Sequence, residues 1–267
     1  MKVNVLVVFG LLIAVLLSGC VQQQQNQAVD QNVNLVDNSK VIVGTDDTLK
    51  ADGTQDNTGI KFEPVKLELK YKKGEALVNE IEITTNGFPQ MIKDYLKTIT
   101  FAENTDENFA LLDVIQLVSY KMIDENKTNT CESQNLIDKK KQYQAYPNGS
   151  IVVVGSNMDI SNLILPKENV TLNNGWDYAG LSYITQAVQK FKVENKEYDV
   201  LKIQFSGTVK DKVIIDGYYL FDYKNGRILK QHRSEDYGSY AVTFTNTVTK
   251  IIPETNVSNY KDCEDPF

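Results

Sequence analysis

The sequence predicts an α+β fold with an antiparallel, curved sheet, and three observations lead there. From Tyr183 onward apolar and polar residues alternate through about five segments, the period-two signature of half-buried strands. Before that, Met91, Ile92, Tyr95, Leu96 and Ile99, then Leu111, Val114, Ile115, Val118 and Met122, recur at helical spacing. Asn225-Gly226 sits between two apolar runs and is the strongest hairpin signal in the chain, because both residues tolerate positive φ. Helices confined to the first half and strands in succession afterwards describe a segregated α+β domain. A long antiparallel sheet twists, and so this one is expected to curl.

The chain opens on a different kind of segment. Lys2 is followed by a run from Val3 to Leu17 that is apolar apart from Asn4 and Gly10, and then by Ser18-Gly19. About fifteen residues fall short of the roughly 20 needed to span a bilayer. The short positive start and the small residues at the end fit a cleaved leader, residues 1–19. Leu17-Ser18-Gly19-Cys20 resembles the lipobox of prokaryotic lipoproteins. That resemblance implies cleavage before Cys20 and lipidation of its thiol. Acyl chains worth about 0.8 kcal/mol per buried CH₂ would then hold the protein on a membrane.

Residues 20–59 are rich in Gln, Asn, Asp, Thr and Gly and contain no aromatic side chain. Such a segment cannot bury enough surface to offset the entropy of ordering it, so it is expected to be a tether. About 40 residues of coil reach roughly 35 Å. The alternative is that Val41-Ile42-Val43 adds an edge strand to the domain. Residues 60–267 are then a single extracytoplasmic domain, ample for one core.

Composition excludes some partners. With 28 basic and 35 acidic residues the net charge is −7, which disfavours a nucleic-acid backbone. The only basic run of three, Lys139-Lys140-Lys141, reads as a solvated surface. Of three cysteines, Cys131 and Cys263 remain as a pair after Cys20, and an oxidising compartment favours a disulfide over two free thiols. Closing a loop of about 130 residues is worth roughly 5 kcal/mol in the chain-entropy model.

Within the domain, Val65, Leu67, Leu69 and Tyr71 alternate with charged residues as a strand. Lys73-Gly74 turns the chain, and 81–84 is the expected hairpin partner. Pro89 suits the first turn of a helix over 91–99, and a second helix is expected over 107–123. Residues 127–148 read as loop, 150–154 as a short strand, 163–165 as another, and 175–180 as a glycine-bounded aromatic loop. The meander follows: a strand from 183 to 193, a turn at Asn195-Lys196, a strand from 197, an apolar central strand over 213–223, and a return over 227–233. Last come Tyr240, Val242 and Phe244 alternating with threonines.

No catalytic constellation emerges. His232 is the only histidine, which removes most Ser-His and Cys-His arrangements and leaves too few ligands for a zinc site. Carboxylates near the meander (Asp216, Asp222, Glu235, Asp236) are too common in this chain to single out a glycosidase pair. No cofactor, metal or enzymatic activity is therefore expected. The order of elements, with its segment Tyr218-Tyr219-Leu220-Phe221-Asp222-Tyr223, resembles the half-barrel of LolA/LppX-like lipoprotein carriers. It implies an apolar ligand or lipid in the curve of the sheet, faced by Leu201, Ile203, Phe205, Tyr219, Phe221, Tyr240, Val242 and Phe244. The alternative is an envelope interaction module that recognises a protein or glycan, with Trp176 and Tyr178 as a surface aromatic patch.

Overall fold

A computed structural model describes residues 62–87, 91–123, 126–129, 141–156, 158–161, 163–209 and 213–255. The leader, Cys20, the tether, Pro89, Cys131 and Cys263 lie outside the described residues.

The expected α+β class is overturned: among the described residues there is no helix, and twelve strands form one antiparallel sheet. The strands are β1 (Ala76–Asn86), β2 (Ile92–Thr105), β3 (Ala110–Ile123), β4 (Asn126–Asn129), β5 (Lys141–Ala145) and β6 (Ile151–Val153). They continue with β7 (Gly175–Tyr178), β8 (Leu181–Val193), β9 (Lys196–Val209), β10 (Val213–Asp222), β11 (Arg227–Asp236) and β12 (Ala241–Ile252). Their order is β6-β5-β3-β2-β1-β12-β11-β10-β9-β8-β7, with β4 pairing separately along β3. Two meanders thus meet where β1 pairs with β12.

Both expected helices are strands, β2 and β3, and the reason is physical. Each runs for 14 residues and carries apolar side chains on both faces. In β3, Leu112 packs with Tyr143 and Ile160, whereas Ile115 and Leu117 pack with Ile99 and Phe101. With both faces occupied there is no period of two to see, and a helical stripe can be picked from the surplus. The β-branched run Thr98-Ile99-Thr100 favours the strand. Asp106 makes the connection: its carboxylate accepts from the backbone N–H of Asn108 at 2.7 Å and of Phe109 at 3.0 Å, which closes a hairpin turn at the expected helix start.

Other expectations shift similarly. The expected loop over 127–148 contains β4 and β5, and the aromatic loop over 175–180 is β7 with its turn. Residues 81–84 lie in β1, whose partners are β2 and β12 rather than 65–71. The five-strand meander is present as β8 to β12, and Gly226 takes φ +69° in its central hairpin turn.

Residues 65–71 keep their alternation but join no ladder. Leu67 (1% exposed) and Leu69 (5%) are buried, while only Val65 forms a bridge, to Val170. Leu163 and Leu165, also expected as a strand, are likewise buried outside any ladder. These two extended segments close over Leu181, Tyr183, Leu201, Ile203, Phe205, Tyr219 and Phe221 to form the largest core cluster.

The sheet curls, as expected of its twist. β8 and β12 are separated by three strands, roughly 19 Å in a flat sheet, yet their Cα atoms approach within 8 Å. Val193, Tyr198, Val200, Leu220, Leu229, Val248 and Leu77 pack into one cluster there, drawn from every strand between β8 and β1.

Candidate functional site

Register decides which side chains share a face, because directly paired residues in an antiparallel ladder point the same way. One row reads Ile203, Tyr219, Gln231, Asn246, Ile81 and Leu96 across six strands. A second reads Phe205, Gly217, Arg233, Phe244 and Ile83, and a third Ile215, Glu235, Val242 and Thr85. Leu201 pairs with Phe221 on the same side. Seven of the eight residues expected to line a cavity therefore lie on one face. The eighth, Tyr240, precedes β12 and stacks on Tyr237 with ring centroids 4.6 Å apart.

That face is divided. Leu201, Ile203, Phe205, Tyr219 and Phe221 are sealed by Leu67, Leu69, Leu163, Leu165 and Val170 of the chain itself. Toward β12, β1 and β2, Phe244, Ile81, Ile83 and Leu96 are half-buried and belong to none of the packed clusters. Trp176 and Tyr178 form no separate exposed patch. Trp176 is half-buried, stacks on Tyr183 at 5.4 Å and donates its indole N–H to the Ile164 carbonyl at 2.8 Å. Tyr183 continues to Phe205 at 5.8 Å and Phe205 to Tyr219 at 5.0 Å, an aromatic ladder over four strands.

The polar groups on this face are mostly paired. Arg233 Nε meets Glu235 at 2.6 Å, and the Tyr237 hydroxyl donates to the same carboxylate. Lys121 lies 3.7 Å from Asp94, whose carboxyl burial pushes up despite that neighbour. Burial raises the Tyr183 phenol to about 12, opposed by the Arg233 charge, and raises Tyr219 further. Among the described residues the Asn246 side-chain carbonyl is buried without a partner, which costs about 1–3 kcal/mol.

The carboxylates noted in the sequence do not converge. Asp222 is buried and takes the backbone and side-chain N–H of Asn225 at 3.1 and 2.8 Å, while Glu235 serves Arg233 and Tyr237. His232 is half-buried, with Nδ1 3.0 Å from the Thr245 hydroxyl and its ring stacked on Tyr218 at 5.4 Å. Among the described residues no group of three or more His, Cys, Asp or Glu side chains is placed to hold a metal ion.

A feature the sequence did not signal lies at the curled end. A cleft of about 520 Å³ is lined by Lys72, Glu75, Val193, Glu194, Asn195, Lys196, Tyr198, Asn225, Arg227, Ile251 and Pro253. Glu75 and Arg227 are buried there and form a two-pronged ion pair, Nε to Oε1 at 2.9 Å and Nη2 to Oε2. Beside them, burial and the Glu75 charge push the Tyr71 phenol up to about 12.

No family model matches this chain, and no curated protein does. Among solved structures, lipovitellin aligns at 11% identity with a TM-score of 0.46, over 70% of this chain and 26% of its own. The chain thus spans about a quarter of lipovitellin's length. A Bacteroides fragilis protein with a YmcC-like fold aligns at 7% identity and a TM-score of 0.35, over 70% of this chain and 99% of its own. A Vibrio parahaemolyticus domain assigned to outer membrane lipoprotein sorting aligns at 9% identity and a TM-score of 0.22, over 69% and 87%. At scores this low the likenesses carry no argument.

Proposed function

We propose that this chain is a lipid-anchored, extracytoplasmic, non-enzymatic binding protein that takes an apolar ligand or lipid against its sheet. The observation that carries the reading is the shared face of Leu201, Ile203, Phe205, Tyr219, Phe221, Val242 and Phe244. Part of it is filled by the chain's own leucines, and on the rest the half-buried apolar side chains Ile81, Ile83, Leu96 and Phe244 lie among Asn246, Arg233 and Asp94. Covering apolar area gains about 25 cal/mol per Å², so a hydrocarbon chain is stabilised by lying along those rows. The location rests on the sequence: an apolar leader, Cys20 in a lipobox-like setting, and a polar tether. A Cys131–Cys263 disulfide belongs to the same compartment.

The test uses protein released from cells by Cys20→Ala, which removes the anchoring thiol. Organic extraction followed by mass spectrometry is expected to yield a lipid in near-stoichiometric amount. Lipid-free protein in repeated preparations rejects the ligand reading.

A second reading, an interaction module for an envelope protein or glycan, draws on the opposite face. There the register aligns Thr84, Thr243, Ser234, Asp216, Ser206 and Ser182, six hydrogen-bonding side chains on six successive strands.

A further inference from the structure

We infer that the cleft at the curled end is a binding site for a small anionic amphiphile, a carboxylate or phosphate head carrying a short hydrocarbon chain. The site is separate from the ligand face above and does not depend on it.

Its size is suitable, since about 520 Å³ falls within the roughly 300–1,000 Å³ of small-molecule sites. Its charge is the informative part. In a chain of net charge −7, the cleft brings together three cations, Lys72, Lys196 and Arg227, and two carboxylates, Glu75 and Glu194. Both carboxylates are already matched, Glu75 by Arg227 and Glu194 by Lys250 at 3.6 Å. Among the described residues Lys72 has no acidic partner, and Lys196 lies over the Tyr198 ring at 5.0 Å without one. The cleft therefore carries an excess of positive charge that an anion neutralises.

The floor separates this place from a chance pair of surface lysines. Arg227 is 7% and Glu75 4% exposed, so the guanidinium is fixed in position. Glu75 engages two of its five N–H donors, and a planar guanidinium suits a carboxylate or phosphate. Of the other lining residues, Val193, Tyr198, Ile251 and Pro253 supply an apolar wall, and Asn195 and Asn225 add two amides. Charge on one side and hydrocarbon on the other select an amphiphile over a bare ion.

Equilibrium dialysis of the full chain in phosphatidylcholine nanodiscs tests this, with octyl phosphate, octanoate, octylamine and inorganic phosphate as probes and empty nanodiscs subtracted. Octyl phosphate and octanoate are expected to show saturable uptake. Lys72→Glu combined with Lys196→Glu is expected to weaken it by about tenfold or more, since two nearby charges are reversed. Both positions are at the rim, so the thermal midpoint serves as the control for folding. Unchanged uptake by the variant, uptake of octylamine equal to that of the anions, or no saturable uptake of either anionic amphiphile overturns the assignment. Inorganic phosphate binding as tightly as octyl phosphate overturns the amphiphile class, because the apolar wall then contributes nothing.

Discussion

Arg227 and Glu75, 152 residues apart in the chain, meet as a buried, two-pronged ion pair that ties the entry to β1 to the start of β11. Burying the two charges costs solvation, and the pairing offsets it only while both partners are present. Glu75→Gln leaves the guanidinium uncompensated and is expected to cost about 3–5 kcal/mol, read as a lowered urea midpoint. The double change Glu75→Leu with Arg227→Met removes both charges and is expected to cost much less. Equal losses for the single and double variants would show that the charges do not couple.

Gly217 faces the Phe205 ring across the β9–β10 ladder. A Cβ placed there would stand 2.6 Å from Phe205 Cζ and collide with the His232 carbonyl of β11. Backbone on one side and a core ring on the other leave nothing flexible to move. Gly217→Ala is therefore expected to destabilise by about 1–3 kcal/mol or more. Its control is an alanine at Gly155, where a Cβ meets nothing within 4 Å, although φ +90° strains any side chain there. A Gly217→Ala protein as stable as wild type would mean that Phe205 is not packed as described.

Two patterns in the meander were legible, the dense apolar run of β10 and the one-sided alternation of β9. In β9, Leu201, Ile203 and Phe205 alternate with Lys202, Gln204 and Ser206, and the strand forms where that pattern places it. β2 and β3 escape that pattern because Phe101 and Ala102, or Leu112 and Ile115, serve different clusters on opposite faces and erase the period of two. Residues 65–71 misled in the opposite way. Their alternation reflects burial against the sheet's face, since an extended segment laid over a core alternates as a strand does. Parity gives the common side of Leu201, Ile203 and Phe205, or of Val242 and Phe244, within each strand, but neither the register that joins them across strands nor their closure by Leu67, Leu69, Leu163 and Leu165. Nothing in the linear sequence pairs Glu75 with Arg227, so the cleft was invisible before folding. Asp106 carries a local turn signal just before the expected helix start at residue 107, since its carboxylate caps the backbone of Asn108 and Phe109.

His232 gives the stability a pH dependence. Burial, helped by the Lys230 charge and only partly opposed by Asp216, holds its imidazole below the ordinary value of 6.5 in the folded protein. The unfolded chain then takes up the proton first as pH falls, so the contribution is present above about 6.5 and is lost through the folded-state pKa below it. The thermal midpoint is expected to fall more between pH 7.5 and pH 5 in wild type than in His232→Gln. Parallel pH profiles for the two proteins would remove His232 as a source of that dependence.

The proposed Cys131–Cys263 bridge predicts a mass change. Alkylation of the denatured Cys20→Ala protein without reductant is expected to add nothing, and after reduction to add two groups. Full alkylation without reductant means free thiols, and alkylation of one cysteine only means pairing elsewhere. If the bridge exists, removing it is expected to cost about 2–5 kcal/mol.

Leu67 and Leu69 belong to the segment that enters the domain, yet they are buried as deeply as the central strands. Their backbone is held by few bonds: Leu69 N–H to the Pro147 carbonyl at 2.8 Å, Lys70 N–H to the Gly226 carbonyl at 2.8 Å, and the Val65–Val170 bridge. Side-chain packing rather than ladder pairing must therefore hold the segment in place. Leu67→Ala is expected to cost about 2–5 kcal/mol, as for a leucine in a close-packed core. Lys66→Ala next to it, on the exposed side, is expected to stay within about 0.5 kcal/mol. Deleting residues 62–71 should lower stability by more than Leu67→Ala alone, because it uncovers Leu201, Phe205 and Phe221 together. If the deletion leaves the denaturation midpoint unchanged, the segment is an accessory and the domain begins at β1.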